Sequence, residues 1–189
     1  MQSATQAEFK TLLSKEEYTR LMDKFKGNRI DYQTNHYFDT SRFSLKASDT
    51  SLRVRERDTL ELTLKRKKSY TIQDFTLSID DDIFEEIKKT GYLPEGNIKN
   101  EVTSLIGPQK VVNFMSLSTK RLALVYGNGI IFIDESKYLG ITDYELQYEA
   151  KNQHDGKKEF IQLLSDLNIK YKKTEKKIKR AYNALKTMI

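Results

Sequence analysis

Cysteine is absent from all 189 residues, which excludes disulfides, cysteine-based zinc sites and thiol catalysis. Histidine is nearly absent as well. His36 and His154 have neither a cysteine nor a third histidine beside them to complete a zinc centre. No apolar run approaches the length of a membrane span, and the polar start carries no signal-peptide pattern, so a cytoplasmic protein with no membrane partner is expected. The eight glycines form neither a Walker loop nor a dinucleotide fingerprint. The serines lack the elbow context of a hydrolase nucleophile. The basic run around Tyr70 lacks the aromatic-rich signature of single-stranded RNA binding, so nucleic acid is not the expected partner. No repeat, linker or low-complexity segment breaks the chain, and one domain over residues 1–189 is expected.

What is present is charge in an unusual place. A strand points alternate side chains to one face. In the opening stretch this puts Gln6, Glu8 and Lys10 on one face, with Ala7 and Phe9 behind them. The same inversion returns in Arg53, Arg55 and Arg57, in Glu61, Thr63, Lys65 and Lys67, and in Asp143, Glu145, Gln147 and Glu149. These read as strands of one closed sheet with a charged interior. An empty, dry, charged interior is costly, so a wet tunnel holding water, ions or a polyanion resolves it. The formal charge of +6 favours an anionic partner without choosing one.

The periodicities predict strands over 5–13, 33–39, 51–57, 60–67, 73–79, 117–126, 130–136 and 143–151. Asp58 and Thr59 turn one hairpin, and Gly127-Asn128-Gly129 turns another. Helices are interleaved. Ser14 with Glu17 forms a capping box ahead of the stripe Tyr18, Leu21, Met22 and Phe25, with a stop at Gly27 and Asn28. Asp80, Asp81 and Asp82 suit a helix start, with a stop at Gly91. A short helix is predicted over 99–106, one opened by Asp155 and a last one opened by Thr174. The fold class is therefore α+β, an eight-stranded antiparallel β-barrel with peripheral helices, wide enough for one small ligand.

Two sets of residues carry chemistry. Glu8, Glu145 and Glu149, with Asp134, are the acids, and oxygen ligands of this kind suit Mg2+ or Mn2+. Lys10, Arg53, Arg55, Lys65, Lys67 and Arg121 are the cations. Arginine forks grip phosphate oxygens bidentately and lysine acts as a point charge. Each such pair contributes roughly 4 kcal/mol before desolvation, so several together can hold a triphosphate. Arg66 and Lys68 fall on the opposite parity and read as surface cations. Lys177 and Arg180 share a face of the last helix and can close one tunnel mouth. Tyr37, Tyr138, Tyr144 and Tyr148 read as packing residues.

The opening Gln6-x-Glu8-x-Lys10 resembles the E-x-E-x-K start of the CYTH domains, the triphosphate tunnel metalloenzymes. Further matches follow in order: Tyr37-Phe38-Asp39-Thr40, Leu52-Arg53-Val54-Arg55, Leu62-Thr63-Leu64-Lys65, Lys120-Arg121, Ile133-Asp134, Tyr144 to Glu149, and Lys177-Ile178-Lys179-Arg180. The chain is similar over nearly its whole length to the bacterial YjbK-like branch of that family. The resemblance implies hydrolysis of a small triphosphate with Mg2+ or Mn2+, inorganic triphosphate first, with other organic or nucleoside triphosphates as candidates. It implies Lys10, Arg53, Arg55, Lys65, Arg121, Lys177 and Arg180 as phosphate ligands. Glu8, Glu145 and Glu149 would hold metal, with Asp134 near it, and Glu8, Lys10, Glu145 and Glu149 would serve turnover. Some members instead cyclise ATP, and a non-catalytic polyphosphate-binding module is the other alternative. Gln6 and Gln147 depart from the family's glutamates. A glutamine offers one neutral oxygen and an amide that repels cations, so weaker metal binding is expected.

Overall fold

The computed structural model describes residues 7–68 and 71–188. Gln6 and Tyr70 lie outside the described residues. The strands are β1 (Ala7–Leu13), β2 (Ile30–Asp39), β3 (Thr50–Glu56), β4 (Leu60–Lys68), β5 (Thr71–Ile79), β6 (Val112–Tyr126), β7 (Gly129–Tyr138) and β8 (Ile141–Ala150). The helices are α1 (Lys15–Lys24), α2 (Ser44–Ala47), α3 (Asp81–Thr90), α4 (Asn97–Ile106), α5 (Gln153–Asp166) and α6 (Lys177–Met188). The α+β class, the eight strands and the peripheral helices are as the pattern predicts. The strands follow the order β1-β8-β7-β6-β2-β3-β4-β5. The first strand of the chain thus pairs with the last, antiparallel, from Ala7 opposite Ala150 to Leu13 opposite Tyr144.

The chain divides into two compact units, one running to Tyr32 and resuming at Thr119, the other Gln33–Ser118. In the first unit the apolar faces of the strands meet α1 and α5. Ala7 and Leu13 of β1, Ile131 and Ile133 of β7, and Leu146 and Tyr148 of β8 bury with Leu21, Phe160 and Leu163. In the second unit Leu52 and Val54 of β3 and Leu62 and Leu64 of β4 bury with Phe84 and Ile87 of α3 and Val102 of α4. Each buried side chain of this size contributes roughly 1.5–3 kcal/mol, so the apolar parity decides which face the helices cover. Register follows, because a slip of one residue would expose the whole apolar set.

The helix ends show the local chemistry at work. Ser14 accepts from the Glu17 amide at 3.1 Å and Glu17 accepts from the Ser14 amide, the predicted capping box. Asp80 caps α3 by accepting from the Ile83 amide at 2.8 Å, and Gly91 stops it at φ 74°. Two predicted starts move. Asn152, not Asp155, caps α5, because its side-chain oxygen takes the Asp155 amide at 2.9 Å. The last helix begins at Lys177 rather than Thr174, whose hydroxyl instead accepts from Arg180. The predicted loop after Asp39 contains α2. Asp39 is buried and accepts from the amides of Thr40, Leu45 and Lys46, so its carboxylate organises that turn.

Candidate functional site

In the first unit the polar parity of β1, β7 and β8 converges opposite the apolar core. Across the β1–β8 ladder Glu8 faces Glu149 and Lys10 faces Gln147. Across β7–β8, Asp134 faces Glu145 and Ser136 faces Asp143. Several of these polar groups are buried, Asp134 completely and Glu145 nearly so. A buried charge is tolerated only when paired and hydrogen-bonded, and the partners are present.

Asp134 holds two cations. Arg121 on β6 donates from Nε and from its terminal nitrogen, each at 2.7 Å, one to each carboxylate oxygen. Lys177 on α6 donates to Oδ2 at 2.7 Å. The Arg121 guanidinium also lies 4.4 Å from the centroid of the Phe132 ring. Burial alone would raise the Asp134 carboxyl, but the Arg121 hydrogen bonds and the Lys177 charge win and hold it below the ordinary range. Burial likewise opposes the Arg121 charge, and Asp134 outweighs it, raising Arg121.

Arg180 on α6 is anchored to β8. Its Nε and one terminal nitrogen fork onto Asp143 at 3.0 and 3.2 Å. The other terminal nitrogen reaches Glu145 at 2.7 Å, the Thr174 hydroxyl at 2.8 Å and the Glu175 carbonyl at 2.7 Å. The Tyr138 hydroxyl donates to Asp143 at 2.7 Å. Burial, then that hydrogen bond, pushes the Tyr138 phenol up to about 12.

Among the described residues, Glu8 and Glu149 are the predicted metal ligands without a hydrogen bond from an arginine. Lys10 donates to Glu8 at 2.8 Å, and Gln147 donates its amide to Glu149 at 3.3 Å. Among the described residues no three histidine, aspartate or glutamate side chains gather closely enough to cage a cation. Two carboxylates still suit magnesium, which commonly binds through one or two carboxylates with water and substrate phosphate filling the rest. The donor chemistry of Glu8 and Glu149 therefore fits a hard divalent ion, whereas Asp134 is already neutralised by two cations.

The second unit carries the Arg-x-Arg strand. On β3, Arg53 stands opposite Thr63 and Arg55 opposite Glu61. The Arg53 Nε is buried without a hydrogen-bond partner among the described residues. Tyr37 on β2 lies beside it: burial raises the Tyr37 phenol, and the Arg53 charge and hydrogen bond pull against that rise. Arg55 donates to the buried Asn35 at 3.4 Å. Burial, then the nearby charges of Arg53 and Arg57, lowers Arg55. Lys65 is exposed and pairs with Asp74 across β4–β5 at 2.7 Å, and Lys67 is exposed on the same strand. Arg66 points the other way, to Glu101 of α4 at 3.2 Å, as its parity predicts.

Sequence reasoning did not single out Asp143 as a charge partner, nor Asn35 as a support for Arg55. Asp143 shares the parity of Glu145 and Glu149, which was the available signal. Asn35 shares that of Tyr37 and Gln33, and Gln33 accepts from Arg57 at 2.9 Å. His36 bridges the Ser116 hydroxyl at 2.9 Å and Glu56 at 3.0 Å, packed on Phe84.

The model of the CYTH domain family matches residues 4–182. The chain is 33% identical over 187 residues to a Bacillus subtilis protein named "Putative triphosphatase YjbK", covering 96% of each chain. Among solved structures it is similar to one described as a putative adenylate cyclase from Bacillus halodurans. That match has 30% identity and a TM-score of 0.74, over 92% of this chain and 95% of the other. A Hippeastrum protein, described as a putative adenylyl cyclase with a dominant triphosphatase activity, shares the fold. It has 22% identity and a TM-score of 0.70, over 90% and 91% of the two chains.

Proposed function

The chain belongs to the CYTH domain family, and from that membership we propose that it is a metal-dependent hydrolase of a small triphosphate, inorganic triphosphate first. The observation that carries this reading is the buried, unpartnered Nε of Arg53 beside Arg55. A buried donor without an acceptor costs about 1–3 kcal/mol. An anion with several oxygens supplies the missing acceptor and neutralises two adjacent guanidinium groups at once. The similarity to a protein named for triphosphatase activity supports the same substrate class.

In this reading Arg53 and Arg55 bind and orient phosphate oxygens, with Tyr37 and Asn35 holding the two forks. Glu8 and Glu149 would hold Mg2+ or Mn2+, which when bound would supply charge neutralisation at the phosphoryl group. Lys10 holds Glu8 in place through their 2.8 Å contact. Glu8, Lys10, Glu145 and Glu149 remain the residues proposed for turnover. Glu145 is held by Arg180, so orientation of an attacking water falls to Glu149 or Glu8. Lys65 and Lys67, exposed on β4, add positive charge on the strand beside β3.

A second reading, a polyphosphate-binding module without turnover, is favoured by one observation: no three metal-ligating side chains gather among the described residues. The experiment is release of orthophosphate from tripolyphosphate and from a panel of nucleoside triphosphates, with Mg2+ and with Mn2+. Metal-dependent release supports the hydrolase. Binding and thermal stabilisation without release in either metal supports the binding module. No binding of tripolyphosphate at low salt defeats both.

A further inference from the structure

We infer that Asp143 is a positioning residue: it holds Arg180 and so sets Lys177, one turn earlier on α6, as the helix's phosphate-binding cation. The inference rests on the triphosphate reading above and sharpens it. A guanidinium has five N–H groups and no acceptor. In Arg180, Nε and one terminal nitrogen face the two oxygens of Asp143, and the other terminal nitrogen faces Glu145, the Thr174 hydroxyl and the Glu175 carbonyl. Two carboxylates already neutralise its single charge. The pair is also withdrawn from solvent, with the Arg180 side chain 12% exposed and that of Asp143 16%. The Tyr138 hydroxyl also donates to Asp143, on the oxygen that accepts from the Arg180 Nε. An incoming phosphate would have to compete with two carboxylates for Arg180.

Lys177 is placed differently. It lies three residues ahead, on the same helix face. Its ammonium has three N–H groups, and the one acceptor found for it among the described residues is Asp134 at 2.7 Å. Asp134 is shared with Arg121, so Lys177 retains donors for an anion. Asp143 on β8 therefore fixes the helix, and Lys177 makes the contact.

The two possible roles of Arg180 predict opposite signs for Asp143→Asn. If Arg180 binds phosphate directly, removing a competing acid tightens tripolyphosphate. If Asp143 positions α6, the same change weakens it. We expect weakening on the order of tenfold, measured by calorimetry on the full chain at low salt. Added to Lys177→Gln, Asp143→Asn should cost little more, because both act through one contact, and in turnover assays the loss should fall on KM rather than kcat. Asp143→Glu should restore part of it. Tyr138→Phe, which leaves the ring and the carboxylate, should weaken binding in the same direction by less, and covers the case in which Asp143→Asn fails to fold. Hydrogen exchange of the α6 amides gives a readout without ligand: it should accelerate in Asp143→Asn while β1 and β8 stay protected. Tighter binding, or full additivity with Lys177→Gln, overturns the inference. Failure of the parent to bind tripolyphosphate, with α6 exchange accelerated in Asp143→Asn, would defeat the substrate reading and keep Asp143 as the residue that fixes α6.

Discussion

Glu8 lies directly across the β1–β8 ladder from Glu149. Like charges in that relation destabilise a sheet, and here each is relieved by a neighbour on its own strand, Glu8 by Lys10 and Glu149 by Gln147. A divalent cation would relieve both at once. Glu8→Gln should therefore leave the melting temperature unchanged or slightly raised without metal, by about 0.2–1 kcal/mol at most. It should also abolish any rise caused by Mg2+ or Mn2+. Thermal scans of parent and variant with and without each metal check this; a metal-induced rise that survives in the variant removes Glu8 from the metal site.

Gln147 stands between Glu145 and Glu149 on one strand face. Gln147→Glu, alone or with Gln6→Glu, should raise metal affinity and any triphosphatase rate, while lowering stability in chelator. The added carboxylate repels Glu149 and removes the donated amide. Turnover titrated against metal concentration is the measurement. A parent saturating at the same metal concentration and rate as the variants would show that the missing carboxylates are immaterial.

Arg53→Ala should remove the stabilisation that tripolyphosphate gives the parent. At a ligand concentration about 100-fold above Kd that stabilisation is about 2.7 kcal/mol, or about 5–10 °C in a chain of this size. Arg66→Ala, which removes the outward pair with Glu101, should leave the shift intact. Equal shifts in the parent and in Arg53→Ala would place the anion elsewhere.

Asp134→Asn should destabilise the fold by about 3–5 kcal/mol, the usual cost of breaking a buried pair from one side. Arg121 and Lys177 would remain largely buried with no compensating charge. Urea unfolding of Asp134→Asn, Arg121→Met and the double variant measures the coupling. A double variant as unstable as the sum of the singles would show that the pair does not act as a unit.

The same carboxylate sets an acid limit. Its folded pKa lies below the ordinary 3.8. The unfolded chain therefore takes up that proton more readily, and stability rises with pH through this range. The contribution is complete above the unfolded value and is lost as pH falls through the folded one. Stability measured between about pH 5 and pH 2 should fall more steeply in the parent than in Asp134→Asn. Parallel curves would assign the acid loss to other carboxylates, such as Glu17, which the Ser14 amide and Lys172 hold low against burial.

The strands, their parity and most helix ends were legible in the chain because they follow from local rules. Leu60, Leu62 and Leu64 alternate with Glu61, Thr63 and Lys65 whatever lies around them, and Ser14 with Glu17 caps a helix through contacts three residues apart. The same alternation pointed to Glu8, Asp134, Glu145 and Glu149 as one acidic group and to Arg53 and Arg55 as another, basic one. It did not reveal how these charges are divided. That Arg121 and Lys177 share Asp134, that Arg180 belongs to Asp143 and Glu145, and that Arg53 keeps an unanswered Nε are outcomes of tertiary structure. Parity says which face a side chain takes. Ion pairing is decided by distances of a few ångströms between strands and helices far apart in sequence, and by burial that makes every unpaired charge costly.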